Sequence, residues 1–313
     1  MTLPKIIVIA GPTGVGKSSL AVELAQELNG EIISADSVQI YRYMDIGTAK
    51  PSLIEREKVP HHMVDIINPD ADFSAADFGK QAEDIITDIT ARGKVPFIVG
   101  GTGLYIKALT KGLFTGPGRD DAIRERLINE AREFGREALH KRLMAIDPVS
   151  AEKIHPNNIA RVVRAIEVFE VSGKPISELH KEHAKNSVGV DEKNKRYNCL
   201  NIALNIERAE LYSKIDKRVD DMMEQGLVAE VRGLLKRGYG SHLNSMHSLG
   251  YKEIISHIEG GVSLESAVVE LKKNTRHYAK RQLTWFRGDK SFKWFAPADK
   301  IDIIKVIRDR LVL

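Results

Sequence analysis

The strongest constraint on this chain lies in residues 5–28, "KIIVIAGPTGVGKSSLAVELAQEL". A short apolar run leads into G-x-x-x-x-G-K-S on Gly11, Gly16, Lys17 and Ser18, and apolar residues at helical spacing follow. That order predicts a buried strand, a phosphate-binding loop and a helix whose N-terminus faces the loop. Across Gly11, Pro12, Thr13, Gly14, Val15, Gly16, Lys17 and Ser18 the glycines let backbone N–H groups turn toward phosphate oxygens. Lys17 adds a full positive charge, and the Ser18 hydroxyl is the expected Mg²⁺ ligand. The loop specifies a phosphate chain but does not say which molecule carries it.

The rest of the N-terminal third repeats the alternation. "EIISADS" reads as a second strand ending at Asp36-Ser37, "HHMVDIIN" as a third, and Ala75 to Arg92 as a helix leading through Gly93 into the strand "VPFIVGGTG". Strands alternating with helices predict an α/β fold with a mostly parallel sheet flanked by helices, of the P-loop type. The ligand of such a sheet lies beyond the carboxyl ends of its strands, where the phosphate loop, Asp36-Ser37 and Gly100–Gly103 converge. From about Asp120 to Lys185 the pattern is charged and helical, and "NCLNIALN" then returns as a strand, with "FKWFA" as a late one. The expected division is therefore an inserted all-helical domain, 119–189, within an α/β core of 1–118 and 190–313. "KNSVGVDEKNKRY" reads as the polar linker back to the core.

Composition excludes several classes. The 313 residues hold one cysteine, Cys199, so neither an intrachain disulfide nor a cysteine-rich zinc site is available. A reducing cytoplasm is the expected setting. No apolar stretch approaches the roughly 20 residues of a membrane helix, so no membrane partner is expected. A monomer is the default. The net charge is +4, but residues 267–291 hold seven Lys/Arg against two Asp/Glu, a local excess of five that leaves the remainder slightly negative. A basic segment on a nearly neutral chain suggests a polyanionic partner. On a helix, Lys272, Arg276 and Lys280 form one row and Lys273, His277 and Arg281 the next, with Tyr278, Trp285 and Phe286 among them. Cations mixed with aromatics suit phosphate contact and base stacking, and equally a solvated helix face over a core.

Asp36, at a strand end beside the loop, has the chemistry of a general base or an Mg²⁺ ligand, or of an Asx-turn. Thr102 follows Gly100-Gly101 at the same edge, as a hydrogen-bonding or a plain turn threonine. Arg161 and Arg164 share a helix face, and Arg218 follows another helical pattern; each suits phosphate contact or ordinary surface. ATP-splitting loops come with an aspartate ending a hydrophobic strand. Here "VPFIVGG" ends in glycines, with Asp36 or Asp65 as the substitutes.

Six segments in fixed order, "GPTGVGKS", "ISADSVQIYRYMDIGTAKP", "PHHMVDI", "DFSAADF", "GGTGLYIKAL" and "KRQLTWFR", resemble the bacterial tRNA dimethylallyltransferases, from the first strand to at least Arg287. Val15 and Ser18 stand where relatives often carry Ser and Thr. The resemblance implies transfer of the dimethylallyl group of dimethylallyl diphosphate to the exocyclic amine of the adenine 3′ of the tRNA anticodon. It implies Mg²⁺ as cofactor and an inserted helical domain that grips the anticodon stem. By the same resemblance, Asp36 accepts the amine proton, Thr102 hydrogen-bonds base or diphosphate, and Lys17 and Arg218 stabilise the leaving group. The tRNA contacts it implies are Asp36, Ser37, Val38 and Gln39; Thr102 and Arg124; Ala160, Arg161, Val162, Val163 and Arg164. Further along they are His247, Ser248, Leu249, Gly250, Tyr251 and Lys252, then Lys280, Arg281, Gln282, Leu283, Thr284, Trp285, Phe286 and Arg287. The sequence leaves open a small-molecule kinase that uses the loop for ATP, a non-catalytic RNA-binding module, and a relative that prenylates free AMP or ATP.

Overall fold

A computed structural model describes residues 3–112, 116–187 and 196–311. The chain divides into two compact units, one of Met1–Gly112 with Arg196–Leu313, the other Leu113–Lys195.

The first unit is built on a six-stranded sheet in the order β3-β2-β4-β1-β5-β6, every pairing parallel. The strands are β1 (Lys5–Ala10), β2 (Gly30–Ser34), β3 (His61–His62), β4 (Val95–Gly100), β5 (Asn198–Leu204) and β6 (Lys293–Phe295). β1 lies between β4 and β5, and Ile6 to Ala10 are fully buried, as a strand covered by helices on both faces requires. Helices α1 (Lys17–Glu27) and α14 (Lys300–Leu311) pack on one face, where Leu20, Leu24, Ile303 and Ile307 join Ile7, Ile9 and Ile202 in one core. The helices α3 (Ala75–Ala91) and α4 (Gly103–Lys111) precede and follow β4. Between β2 and β3 the chain forms a long excursion that includes α2 (Leu53–Lys58). Residues 40–44 of it share a second core with the later helices α10 (Arg208–Glu224), α11 (Leu227–Lys236), α12 (Tyr251–Ile258) and α13 (Leu264–Arg287).

Two strands are shorter than their apolar patterns. β2 stops at Ser34: Ala35 N–H still reaches Val99 O (2.7 Å) on β4, and the Asx-turn at Asp36 then takes the chain away. β3 keeps only His61–His62, because Met63 and Asp65 take left-handed backbone and end the ladder.

The second unit is all helical in its described residues: α5 (Asp121–Glu133), α6 (Arg136–Ile146), α7 (Pro148–Lys153), α8 (Ile159–Ser172) and α9 (Ile176–Ser187). Its core gathers Leu127, Leu139, Leu143, Val162, Val163 and Ile166, the inward positions of amphipathic helices. The unit is somewhat wider than the 119–189 read from sequence, and most of the polar linker, residues 188–195, lies outside the described residues.

Candidate functional site

The site forms where the carboxyl ends of β1, β2 and β4 meet the inner face of α13. The phosphate loop is shaped by Gly14 and Gly16, both with positive φ, which turn the loop around the start of α1. Its position is set from across the molecule. Thr13 N–H donates to Gln282 Oε1 (2.8 Å), and Gln282 Nε2 donates to Gly101 O (3.0 Å). One side chain of α13 thus pins the phosphate loop to the end of β4. The approach is close enough that a Cβ on Gly101 would stand 2.0 Å from Gln282 Nε2. Gln282 is almost fully buried and both ends of its amide are bonded to protein, so its structural task is bracing rather than reaching outward.

At the end of β2, Asp36 makes the turn that the Asx reading expects: Oδ1 accepts from Val38 N–H (2.9 Å) and Gln39 N–H (3.3 Å). Among the described residues no protein hydrogen bond is formed by Oδ2, so the turn fixes the carboxylate while leaving one oxygen for other work. Beside it, Thr102 N–H donates to Ala35 O (3.1 Å) and Thr102 Oγ1 accepts from Ser37 N–H (3.1 Å). Gln39 is buried and tied to Ser34, Thr48 and Ala49, holding the wall rather than facing out. Asp65, the other substitute carboxylate, is held by Lys50 and Arg56 and lines neither cavity at the site.

Two adjoining cavities share Thr13, Asp36, Arg218 and Tyr278. One, of about 300 Å³, is bordered by Gly14, Gly16, Lys17, Ser18 and Lys214 and is strongly polar. The other, of about 350 Å³, has a more apolar wall of Val38, Val219, Met222, Leu249 and Leu271, with Ser37, His247, Ser248, Lys252 and Arg281 also lining it. The electrostatics follow from burial. Lys17 donates to Pro12 O (2.8 Å), and its pKa falls to about 7 because burial penalises the ammonium, Arg218 repels it and Asp36 offsets part of the loss. Burial also lowers Arg218, which donates to Thr48 O (3.2 Å) and is supported by Asp36. Tyr278 is pushed up to about 12, first by burial and then by Asp36, so it stays a neutral hydroxyl near Thr102 and Gln282. Two cations and one carboxylate therefore face a shared space, an arrangement suited to an anionic ligand.

The runs of residues expected to touch RNA are divided by burial. Tyr251 is fully buried, with its hydroxyl donating to Glu230 Oε1 (2.7 Å); Val162, Val163 and Phe286 lie in cores, and Gly250 is also buried. These buried positions support the surfaces on which their exposed neighbours stand. Ala160, Arg161, His247, Lys252, Lys280, Arg281, Thr284, Trp285 and Arg287 remain exposed, with Ser248, Leu249 and Leu283 partly so. The two basic rows of α13 are also divided. Lys272 pairs with Asp220, Lys273 with Glu270 and Arg276 with Asp216, whereas among the described residues Lys280, Arg281 and Arg287 have no carboxylate partner. In the helical unit, Arg124 and Arg164 both bond the fully buried Glu167, which also accepts from Asp120 N–H (2.8 Å).

Sequence reasoning missed two carboxylates. Glu167 follows Val163 by one helical turn, so a charged residue on an apolar face was its visible signal. Glu230 accepts from three successive amides, Asp45 (2.9 Å), Ile46 (2.7 Å) and Gly47 (3.1 Å), and from Tyr251 Oη. It braces the wall at Gly47 and Thr48, and nothing local in "GLVAEV" marks it.

This geometry has counterparts among known proteins. The model of the family described as IPP transferase matches residues 39–289, and that described as Isopentenyl transferase matches residues 4–64. A protein of Geotalea uraniireducens named tRNA dimethylallyltransferase 2 is 51% identical over 290 residues, covering 93% of this chain and 91% of that protein. The tRNA dimethylallyltransferase of Geobacter metallireducens is 50% identical over 300 residues, 96% of this chain and 95% of its own. The crystal structure of the full-length tRNA isopentenylpyrophosphate transferase from Bacillus halodurans superposes with a TM-score of 0.72 at 42% identity, covering 98% of this chain and 97% of that one. The similarity spans the phosphate loop, the Asp36 turn and α13 alike, and on it the chain belongs to the IPP transferase family.

Proposed function

We propose that this protein transfers the dimethylallyl group of dimethylallyl diphosphate to the exocyclic N6 amine of the adenine 3′-adjacent to the anticodon, position 37 of tRNA, releasing diphosphate. The observation that carries this reading is the pair of adjoining cavities with Asp36 and Arg218 on their common border. The polar cavity suits a diphosphate, and the larger, more apolar one suits an allyl group and a base. Relatives at about half identity over nearly the full chain are named tRNA dimethylallyltransferases.

The chemistry follows from the residues. The allylic carbon–oxygen bond breaks, and negative charge grows on the departing diphosphate. The loop amides and the buried Lys17 and Arg218 stabilise that charge. The adenine amine is a weak nucleophile because its lone pair is delocalised into the ring. As the new N–C bond forms, Asp36 Oδ2 accepts the proton from nitrogen. Thr102 and the neutral Tyr278 hydroxyl stand beside Asp36 to orient the base. The donor set fits Mg²⁺, which takes one or two protein oxygens together with phosphate oxygens. Ser18 Oγ is the protein oxygen that would hold it at the loop, and no cluster of three or more His, Cys, Asp or Glu competes among the described residues. Bound there, Mg²⁺ would neutralise the leaving diphosphate.

The reacting adenine must leave its stack to reach Asp36, and the exposed Lys280, Arg281 and Arg287 of α13 are the cations we assign to the RNA backbone. Arg161, exposed on α8 of the helical unit, is assigned to the anticodon stem, with Arg124 and Arg164 held in place by Glu167. No described helix is long and apolar enough to cross a membrane. With tRNA as acceptor, we place the protein in the cytoplasm, working as a monomer. The test is incubation of the protein with Mg²⁺, dimethylallyl diphosphate and unmodified tRNA, followed by mass spectrometry of the nucleosides. Isopentenyladenosine at position 37 is the expected product. Product from AMP or ATP but not from tRNA, or phosphoryl transfer from ATP alone, would overturn the reading.

A further inference from the structure

Among the described residues three cations line the polar cavity, Lys17, Arg218 and Lys214, against one carboxylate, Asp36. The first two are buried and bonded to carbonyls, Lys17 to Pro12 O and Arg218 to Thr48 O. Lys214 differs from both. Its side chain is 48% exposed, and the other exposed residues of the lining are Gly16, Ser18 and Ser19. The lysine therefore stands at the mouth of the cavity, and no step of the proposed transfer uses it. Its place is fixed by α10. Lys214 and Arg218 are four residues apart, about 6 Å along the axis, so they project from one face of that helix. Ile215 beside Lys214 is fully buried against the phosphate loop, where a Cβ on Gly14 would stand 3.0 Å from Ile215 Cγ1. Asp216 and Asp220 pair with Arg276 and Lys272 of α13. The backbone under Lys214 is thus clamped between the loop and the long helix, and the flexible four-carbon side chain is the part that can swing.

Lys214 has a partner that does not line the cavity. Its Nζ lies 2.7 Å from Glu210 Oε1, one turn nearer the start of α10, and no other carboxylate pairs with it among the described residues. The pair is weak by its setting, because both side chains are about half exposed and such i,i+4 pairs contribute little. Glu210 also has a second source of support. It lies in the first turn of α10, where the positive end of the helix favours a carboxylate. Loss of the lysine therefore costs Glu210 little. The two cations of α10 also differ in reach. Arg218 borders both cavities, whereas Lys214 lines the polar one alone. With the allyl group in the apolar cavity, the phosphate that carries it lies by Arg218, and the terminal phosphate is the one left for Lys214.

We infer that Lys214 recognises the terminal phosphate of the prenyl donor and that Glu210 is its resting partner, so that the ammonium leaves Glu210 as the diphosphate enters and returns to it as diphosphate departs. Lys214 is then a specificity residue, the group that favours a prenyl diphosphate over a prenyl monophosphate. Glu210 is a positioning residue that acts through it. By competing with the ligand for one ammonium, Glu210 weakens the grip on diphosphate, substrate and product alike, and so eases release. The buried Lys17 and Arg218 cannot serve this way, since neither has a carboxylate partner outside the site to return to. The inference rests on the reading of the polar cavity as the diphosphate site of the proposed transfer.

The test is calorimetry on the full chain with Mg²⁺ and no tRNA, using inorganic diphosphate, dimethylallyl diphosphate and dimethylallyl monophosphate. Lys214→Met keeps a long unbranched side chain and removes the charge. It should bind both diphosphates about tenfold more weakly or worse, as the loss of one hydrogen bond to a charged group predicts, and should bind the monophosphate nearly as the native protein does. Lys214→Arg should keep most of the diphosphate affinity. Glu210→Gln should act with the opposite sign and bind diphosphate about twofold more tightly, the value of an exposed i,i+4 pair. It should also make diphosphate a stronger product inhibitor of transfer. Added to Lys214→Met, the same Glu210→Gln change should do nothing. Native diphosphate affinity in Lys214→Met would overturn the inference, and so would an equal loss for monophosphate and diphosphate. A gain from Glu210→Gln that persists without Lys214 would overturn it too, as the removal of a repelling charge and nothing more. Lys214 and Glu210 are both exposed, so these variants leave the core untouched. A native protein that binds no diphosphate would strike the transfer reading itself; native binding with an unmoved Lys214→Met strikes this inference alone.

Discussion

Lys17 offers the most quantitative test of the site. In the free protein its pKa is about 7, lowered first by burial and then by Arg218. A bound diphosphate places negative charge against the ammonium and restores the pKa toward its ordinary value near 10.5. Only the protonated lysine contributes its charge to binding, so affinity scales with the protonated fraction. That fraction is one half at pH 7 and about one in a hundred at pH 9, and affinity for dimethylallyl diphosphate should fall about 50-fold, or about 2.3 kcal/mol, over this interval. The ligand titrates too, so the useful quantity is the ratio of native to Lys17→Met affinity, from which the ligand cancels. Calorimetry without tRNA should show this ratio level below pH 7 and falling above it, with about half a proton taken up per site at pH 7. Arg218→Gln should move the break to higher pH, because it removes a repelling cation. Asp36→Asn should move it lower, because it removes the group that supports the ammonium. The sign reverses for folding without ligand. Between pH 7 and 10.5 the unfolded chain holds more protons at this lysine, so its contribution to stability rises with pH. A native to Lys17→Met ratio that is constant from pH 6 to 9 would refute the linkage.

Other perturbations separate binding, chemistry and bracing. Asp36→Ala should leave tRNA affinity nearly intact while single-turnover transfer falls about 10² or more, and near-native turnover would remove Asp36 as the base. Lys280→Ala combined with Arg281→Ala should weaken tRNA binding and flatten its salt dependence by about 1.4, read by filter binding across a salt series. Glu230→Gln places an NH₂ group among donors that the carboxylate alone satisfies. The KM for dimethylallyl diphosphate should rise with tRNA affinity unchanged, and a change in melting temperature without that KM shift would reduce Glu230 to a fold contact. Gln282→Ala should cost about 1–3 kcal/mol of stability through the unpaired Thr13 N–H and Gly101 O, measured by denaturant titration.

What the sequence showed, and what it hid, divides along local and non-local lines. The phosphate loop was legible because its glycines, lysine and hydroxyl are consecutive and the flanking periods switch from strand to helix within a few residues. The Asp36 turn was legible as chemistry but not as geometry: the carboxylate forms an Asx-turn through Oδ1 and keeps Oδ2 without a protein hydrogen bond among the described residues, so the turn does not exclude the proposed role as base. Contact runs taken as contiguous segments include the buried Val162, Val163, Tyr251 and Phe286, because a helix turns every third or fourth residue inward whatever its neighbours do. The charge rows of α13 were visible, but their neutralisation by Asp216 and Asp220 of α10 was not, since those pairs span more than fifty residues. Glu230 was invisible for the same reason, its four donors coming from a loop and a helix remote in sequence.

The glycine-ended strand shows most clearly why this loop does not serve an ordinary ATPase. ATP-splitting loops rely on an aspartate at the end of a neighbouring strand to position the metal. Here β4 is that neighbour of β1, paired in register from Ile7 to Ala10. Its terminal positions cannot carry such a side chain, because a Cβ on Gly100 would lie 2.1 Å from Ala35 O and one on Gly101 would lie 2.0 Å from Gln282 Nε2. The room is taken by the Asp36 turn on one side and by the α13 brace on the other. Both carry functions of the proposed transfer: the turn presents the proton acceptor, and the brace ties the phosphate loop to the helix that meets the RNA. The carboxylate has in effect moved one strand over, from the end of β4 to the end of β2. There it borders both cavities of the site. An aspartate restored at Gly100 would therefore not create an ATPase; it would push Ala35 and Asp36 out of place, and prenyl transfer should be lost with no gain in ATP hydrolysis. A Gly100→Asp protein that folds and hydrolyses ATP would refute this account of the strand end.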